Sequence, residues 1–274
     1  MITIIHLIAV LYKIERTISQ EDYMYSYKCV VSYEGTRYNG WQKQGNTTNT
    51  IQEKIEEILT KAMNEPIEIA GSGRTDAGVH ALGQVFHFHC SKAAFEKDHS
   101  DTFLNNINHH LPKDIRILSI DACHERFHAR LNAATKTYQY RIDISPYGNI
   151  FVRNTSHHIA TPLDIEAMKA SANLLIGTHD FKSFCSNKRM KKSSIRTIYN
   201  IDISLDSTNE LLLLTYTGNG FLYNMVRILT GTLIEIGLGL RKPEDIPNML
   251  KGCDRGLAGH TAPAQGLFLI SVTY

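Results

Sequence analysis

Hydrophobic and polar positions in the first half of the chain follow the spacings of strands and helices. Residues 27–33 are rich in β-branched and aromatic side chains and predict a strand. From Thr50 onward apolar residues recur at helical spacing, with Glu53 completing a capping-box pattern, and Pro66 ends this helix. The remaining predicted elements are strands at 67–70, 84–90 and 115–122 and a short helix near 101–110.

The second half of the chain also mixes strands and helices, without repeating the sequence of the first half. Its predicted strands lie at 137–144, 196–205, 210–217 and 266–274, and its predicted helices at 162–176, 220–236 and 243–251. The elements lack a regular β–α–β rhythm, which disfavours a doubly wound parallel sheet. The pattern therefore predicts an α+β protein whose two halves face each other as sandwich-like layers.

Length, charge and cysteine content narrow the class of protein. The 274 residues, 43% of them hydrophobic, are enough for one large domain or two smaller ones. A net charge of +2 does not indicate a class of partner, so any surface that binds nucleic acid must come from local clusters of basic residues. The five cysteines are scattered and include no C-x-x-C pair, which favours a reducing compartment and predicts a cytoplasmic protein. No apolar run reaches 18 residues, so no membrane span is predicted.

The apolar stretch at residues 1–12 resembles part of a secretory signal, but no basic residue precedes it. Charged residues follow it where a cleavage site of small residues would be needed. We predict instead an N-terminal extension over 1–23, with the working chain beginning near Met24. The predicted halves then run over 24–130 and 131–274.

A glycine-rich loop, GSGRTDAGVHA at 71–81, is the first candidate for chemistry. It lacks the Lys-Ser/Thr of a P-loop, and Asp76 stands where a dinucleotide fingerprint needs its third glycine. An aspartic protease would need a second Asp-x-Gly loop, and the sequence offers no convincing one. What remains is an Arg–Thr–Asp turn, interpreted either as a turn capped by its own aspartate or as the site of a catalytic acid.

The apolar stretch at 221–237 predicts a buried helix with Arg227 at its centre. No acid stands three or four residues from Arg227, and a buried arginine without a carboxylate is strongly disfavoured. Asp76 is the best candidate partner, and a neighbouring arginine should lower its pKa and keep it anionic. The alternative is a purely structural ion pair.

Residues 124–128, HERFH, match the H-E-x-x-H pattern of zinc hydrolases. That pattern requires a helix, whereas the preceding residues are strand-like and no third histidine follows at the right spacing. We therefore predict no metal site, and a zinc hydrolase remains an alternative that would require bound zinc.

Positive charge is concentrated in two windows, 182–196 and 126–141, the second interleaved with aromatic residues. Basic side chains bind phosphates and aromatic faces stack on unpaired bases, so these windows favour RNA binding over a solvated loop and an ordinary strand face. The candidate RNA-binding residues are Arg126, Arg130, Lys188, Arg189, Lys191 and Lys192.

Five motifs in order resemble those of the tRNA pseudouridine synthase A (TruA) family, over more than nine-tenths of the chain. They are GTRYNGWQKQ (35–44), GSGRTDAGVHALGQV (71–85), RFHAR (126–130), TGNGFLYNMVR (217–227) and TAPAQGLFL (261–269). Residues 1–23 are not needed by the family pattern. The resemblance implies two ferredoxin-like (RRM-like) halves with mixed, mainly antiparallel sheets that form a central RNA-binding cleft.

The resemblance also implies a reaction, isomerisation of uridine to pseudouridine at positions 38–40 of the tRNA anticodon stem-loop. It implies a homodimer that needs no cofactor. Asp76 matches the family's catalytic aspartate, and Arg74 the arginine at the active-site wall. Tyr138 matches the tyrosine that packs on the target base, Arg227 the arginine that pairs with the aspartate, and Leu267 a hydrophobic wall. Whether the aspartate attacks C1′, adds to C6 or removes the 2′ proton stays open.

Overall fold

In the computed structural model, the described residues, 24–96, 99–187 and 192–274, form one ten-stranded sheet and five α-helices. The strands are β1 Tyr25–Tyr33, β2 Ile69–Gly71, β3 His80–Cys90, β4 Ile115–Ala122, β5 Thr135–Asp143, β6 His157–His158, β7 Gly177–Asp180, β8 Ile195–Asp206, β9 Leu211–Gly218 and β10 Leu267–Thr273. The helices are α1 Ile51–Met63, α2 Ser100–His110, α3 Ile165–Leu175, α4 Met225–Gly237 and α5 Ile246–Gly252. The predicted extension over 1–23 and the candidate residues Lys188, Arg189 and Lys191 lie outside the described residues.

The strand order repeats within the sheet. The full path is β4-β1-β3-β10-β5-β9-β8-β7, with β2 pairing with β3 and β6 with β5. The first half therefore has the order β4-β1-β3-β2 and the second the order β10-β5-β9-β8, each with a helix after its first and third strands. All pairings within these two sets are antiparallel. This arrangement confirms the ferredoxin-like α+β prediction for both halves.

The two halves join edge to edge instead of facing each other as separate layers. Strand β10 pairs in parallel with β3 through Phe268 opposite His80 and Leu269 opposite Ala81. The expectation of two facing layers was wrong because strand periodicity shows which face of a strand is buried and not which strands meet at an edge. The halves thus share one continuous sheet. The boundaries 24–130 and 131–274 stay a prediction.

Helix α1 forms where the sequence predicts it. The Thr50 hydroxyl accepts a hydrogen bond from the Glu53 backbone N–H at 3.2 Å and so caps the first turn. Ile51, Ile55 and Leu59 are fully buried on one face of this helix. No helix in the described part of the chain is long and apolar enough to cross a membrane.

Helix α4 begins five residues later than predicted. Asn224 has a left-handed backbone conformation, with φ at 61°, so the residues immediately before Met225 form a turn that is not part of the helix. Most of α4 is buried, and the segment around 258–262 packs directly on it. The Gly259 N–H donates to the Thr232 hydroxyl at 2.9 Å, and the Ala262 N–H to the Arg227 carbonyl at 3.0 Å.

Gly231 allows this close packing, and we expect Gly231→Ala to lower the free energy of unfolding by about 3 kcal/mol. A Cβ at this position would lie 2.0 Å from the His260 carbonyl oxygen, so the backbone must shift. Urea unfolding measures the effect. Gly45→Ala is the control, because a Cβ there meets no atom within 4 Å. Equal stability of the two variants would contradict this account of the packing.

Candidate active site

The loop between β2 and β3 carries Asp76, whose side chain is 28% exposed. The Thr75 carbonyl accepts a hydrogen bond from the Trp41 N–H at 3.0 Å, and the Thr75 and Tyr33 hydroxyls lie 2.8 Å apart. Gly40 makes this approach possible, because a Cβ there would lie 2.7 Å from the Thr75 carbonyl oxygen and its φ is +88°. Hydrogen bonds therefore hold both the backbone and the side chain of Thr75, the residue before Asp76.

Arg227 reaches Asp76 from the opposite half of the molecule. Its Nη1 lies 3.3 Å from Asp76 Oδ2, so the ion pair predicted from the sequence is present. The guanidinium is fixed by two further acceptors, since Nε donates to the Ala262 carbonyl at 2.8 Å and Nη1 to Asn224 Oδ1 at 3.1 Å. The turn that delays the start of α4 thus supplies one of the groups that orient Arg227.

The pKa of Asp76 corrects one expectation. The sequence predicts a carboxyl group whose pKa is lowered by a neighbouring arginine. In the structure, burial raises the pKa of Asp76, and the attraction and hydrogen bond of Arg227 offset only part of this rise. Proximity to Arg227 is correctly predicted, but the net direction depends on how much solvent the folded chain removes.

A cavity of about 810 Å³ opens above this ion pair. The sequence candidates that line it are Arg74, Asp76, Arg130, Tyr138, Arg227 and Leu267. Tyr138 packs edge-on against Phe221, with 5.3 Å between ring centroids, and burial raises its pKa. The cavity therefore combines one ion pair, a partly aromatic wall and additional cations.

Sequence reasoning missed several lining residues. Gln42 lies within the GTRYNGWQKQ motif and accepts a hydrogen bond from Arg74 Nε at 3.0 Å. Phe221 and Asn224 stand in the same motif as Arg227. Lys136 belongs to a basic window and precedes Tyr138 by two positions, so strand alternation could have placed both on one face. Motif membership and the period-2 rule were the available signals.

Of the three candidate RNA-binding residues that the structure describes, two lie outside the cavity lining. Arg130 lines the cavity, whereas the Arg126 side chain is 86% exposed and lies 3.9 Å from Glu125. Lys192 is exposed and does not line the cavity. The structure thus brings together the five candidates for the active site and one of the three described RNA-binding candidates.

The HERFH segment does not form the helix that a zinc hydrolase needs. Residues 124–128 lie in irregular structure and turns after β4. The Nδ1 atoms of His124 and His128 accept hydrogen bonds from the Arg126 and Arg130 N–H groups, both at 3.1 Å. Across the described ranges, no three His, Cys, Asp or Glu side chains are grouped to hold a metal. These contacts explain both histidines as parts of local turns.

Sequence comparison with known proteins points to one family. A family model described as tRNA pseudouridine synthase matches residues 29–132 and 171–274. The tRNA pseudouridine synthase A 2 of Bacillus cereus (strain ATCC 14579) is 41% identical over 92% of this chain and 100% of its own length. The tRNA pseudouridine synthase A of Brevibacillus brevis is 42% identical over 90% of this chain and 98% of its own length. That of Limosilactobacillus reuteri is 43% identical over 92% of this chain and 97% of its own length.

Proposed function

Since the chain belongs to the tRNA pseudouridine synthase family and is an isomerase that converts uridine to pseudouridine in tRNA, we propose that Asp76 is its catalytic residue. One observation carries the proposal. Among the described residues that line the cavity, Asp76 alone has a carboxyl group, and it is paired with a guanidinium from the other half. We propose further that the targets are positions 38–40 of the anticodon stem-loop, in line with the motif resemblance.

The geometry suits an isomerisation in which nothing is added or lost. The N1–C1′ bond breaks, uracil rotates, and C5 bonds to C1′, while C5 loses its proton and N1 gains one. Atoms and electrons therefore balance without an oxidant or a phosphate donor. A hydrolytic glycosidase uses two carboxyl groups, one of them to deliver water or protonate the departing group. Here the uracil is kept, so one ionised aspartate is sufficient and water must be excluded. Attack on C1′, addition to C6 and removal of the 2′ proton all start from an anionic Asp76.

The cavity walls are suited to an extruded base. A volume of about 810 Å³ accommodates a flipped nucleotide. The base leaves its stack at a cost of a few kcal/mol, which contact with an aromatic pocket offsets in part. Tyr138 and Phe221 supply the aromatic surface, and the buried Leu267 side chain adds an apolar one. Arg227 binds Asp76 and favours its anionic form.

The assembly and the location of the protein are also proposals. Resemblance to the TruA family supports a homodimer that binds tRNA across both subunits. All five cysteines are free thiols, which supports the reducing cytoplasm as the compartment.

Pseudouridine mapping on unmodified tRNA transcripts tests the proposed target. We expect the full chain to form pseudouridine at positions 38–40 in buffer with a chelator and no added cofactor. The matched control is a transcript with cytidine at these positions, which should stay unmodified throughout. Product only at other uridines, or product that requires an added cofactor, would contradict the proposal.

A further inference from the structure

Lys136 places an amino group inside the cavity, near the base of the Asp76 loop. It lies on β5, two positions before Tyr138, so the two side chains share a face of the strand. Its Nζ donates to the Ser72 carbonyl oxygen at 2.6 Å. Gly73 leaves room for this contact, because a Cβ there would lie 3.0 Å from Nζ. The amino group is thus held beside the first residues of the glycine-rich loop.

Among the described residues, no carboxylate balances the charge of Lys136. Within the ranges 24–96, 99–187 and 192–274, no acidic oxygen lies within 4.0 Å of its Nζ, and Asp76 is paired with Arg227. Burial and the nearby Arg130 lower the pKa of Lys136 to about 8. An ammonium has three N–H donors, and one carbonyl does not satisfy them or its charge. The surroundings therefore favour a bound anion at this point.

The cavity carries an excess of positive charge in the same region. Arg74, Arg130 and Lys136 line it in addition to the neutralised Asp76–Arg227 pair. Uracil and ribose are neutral near pH 7, so the anions that a tRNA substrate can offer are its phosphodiesters. Phosphate contacts fix the register of a nucleic acid on a protein without reading its sequence. An ammonium and a guanidinium together are suited to this role.

We propose that Lys136 and Arg130 bind a phosphodiester that adjoins the target uridine and so position its glycosidic bond at Asp76. The proposal rests on the proposed function, because it requires the target nucleotide to enter this cavity. Lys136 is a substrate-binding residue in this scheme, and its contribution appears in RNA affinity and its salt dependence. Removing one phosphate contact should reduce the magnitude of the slope of log affinity against the logarithm of the salt concentration by about one.

Binding of anticodon stem-loops with a neutral methylphosphonate at one linkage tests the proposal. Each RNA carries one neutral linkage, either 5′ or 3′ of the target uridine. The nucleotide that precedes this linkage is 2′-O-methylated, and the charged control RNA carries the same 2′-O-methyl group. The protein carries Asp76→Ala, so that the RNA is not converted. Lys136→Met, the charge-preserving Lys136→Arg, and Lys61→Met are compared in this background. Lys61 is the control because it is exposed on α1 and pairs with Glu57.

We expect neutralisation of one of the two linkages to weaken binding about tenfold when Lys136 is present. Lys136→Met should bind the charged RNA about tenfold more weakly, and neutralising the linkage should then cost it much less than tenfold, because only the Arg130 contact remains to be lost. Lys136→Arg should keep most of the affinity, and Lys61→Met should behave as the parent. Losses that add, or no loss at either linkage, would overturn the proposal. Because the readout here is binding and the readout for the proposed function is pseudouridine formation, failure of the one and failure of the other are separate results.

Discussion

Asp76→Ala is expected to lower the rate of pseudouridine formation by at least about a thousandfold and to leave tRNA affinity within a few fold. The carboxyl group is the one acid among the described lining residues of the cavity, so no neighbour there can replace it. Affinity should survive because the aromatic wall and the cations of the cavity remain. Asp76→Asn should be equally inactive, since it keeps the shape of the side chain and removes the charge.

Single-turnover assays on a tRNA transcript and filter binding of the same RNA measure the two quantities separately. The matched control is Asp202→Ala, which removes an exposed aspartate on β8 and should keep full activity. Full activity of Asp76→Asn would contradict the assignment of this residue. Unchanged binding with no product from the wild type would instead favour a non-catalytic RNA-binding protein on the same scaffold.

The local features of this fold could be predicted from the sequence because they depend on neighbours in the chain. The Thr50 cap, the apolar face of α1 and the buried character of α4 follow from spacing alone. The Asp76–Arg227 pair was also predictable, because a buried arginine requires a carboxylate and Asp76 stands in a glycine-rich loop that allows close approach.

Features set by distant contacts could not be predicted in this way. The strand pairing that joins the two halves consists of two residue pairs between β3 and β10, strands far apart in the chain. The net pKa of Asp76 depends on how much solvent both halves exclude, which no local pattern shows. Alternation places Lys136 on the same face of β5 as Tyr138, but it does not show that the Ser72 carbonyl, 64 positions away in the chain, accepts a hydrogen bond from its amino group.

Arg227→Leu is expected to lower activity near neutral pH by about a hundredfold and to move the pH profile toward higher pH. Burial already raises the pKa of Asp76, and Arg227 opposes that rise through its charge and its hydrogen bond. Without the guanidinium the pKa rises further, so a smaller fraction of Asp76 is anionic at a given pH. Activity should therefore recover in part as the pH is raised.

The same shift predicts a change in stability with a definite sign. When the pKa of a carboxyl group is higher in the folded than in the unfolded chain, the folded chain binds more protons at pH values between these two pKa values. The free energy of unfolding then falls as the pH rises through that window. Since Arg227→Leu widens the window upward, its stability should go on falling to a higher pH than that of the wild type, and the total fall should be larger.

Arg227→Lys separates charge from geometry, because lysine keeps the positive charge and loses the planar fork that donates to Ala262 and Asn224. It should hold the pH profile close to that of the wild type while lowering the maximal rate. Rates across a pH series and urea unfolding at the same pH values measure both effects. If Arg227→Leu and the wild type share one pH profile, the arginine does not control the ionisation of Asp76, and its role is confined to packing.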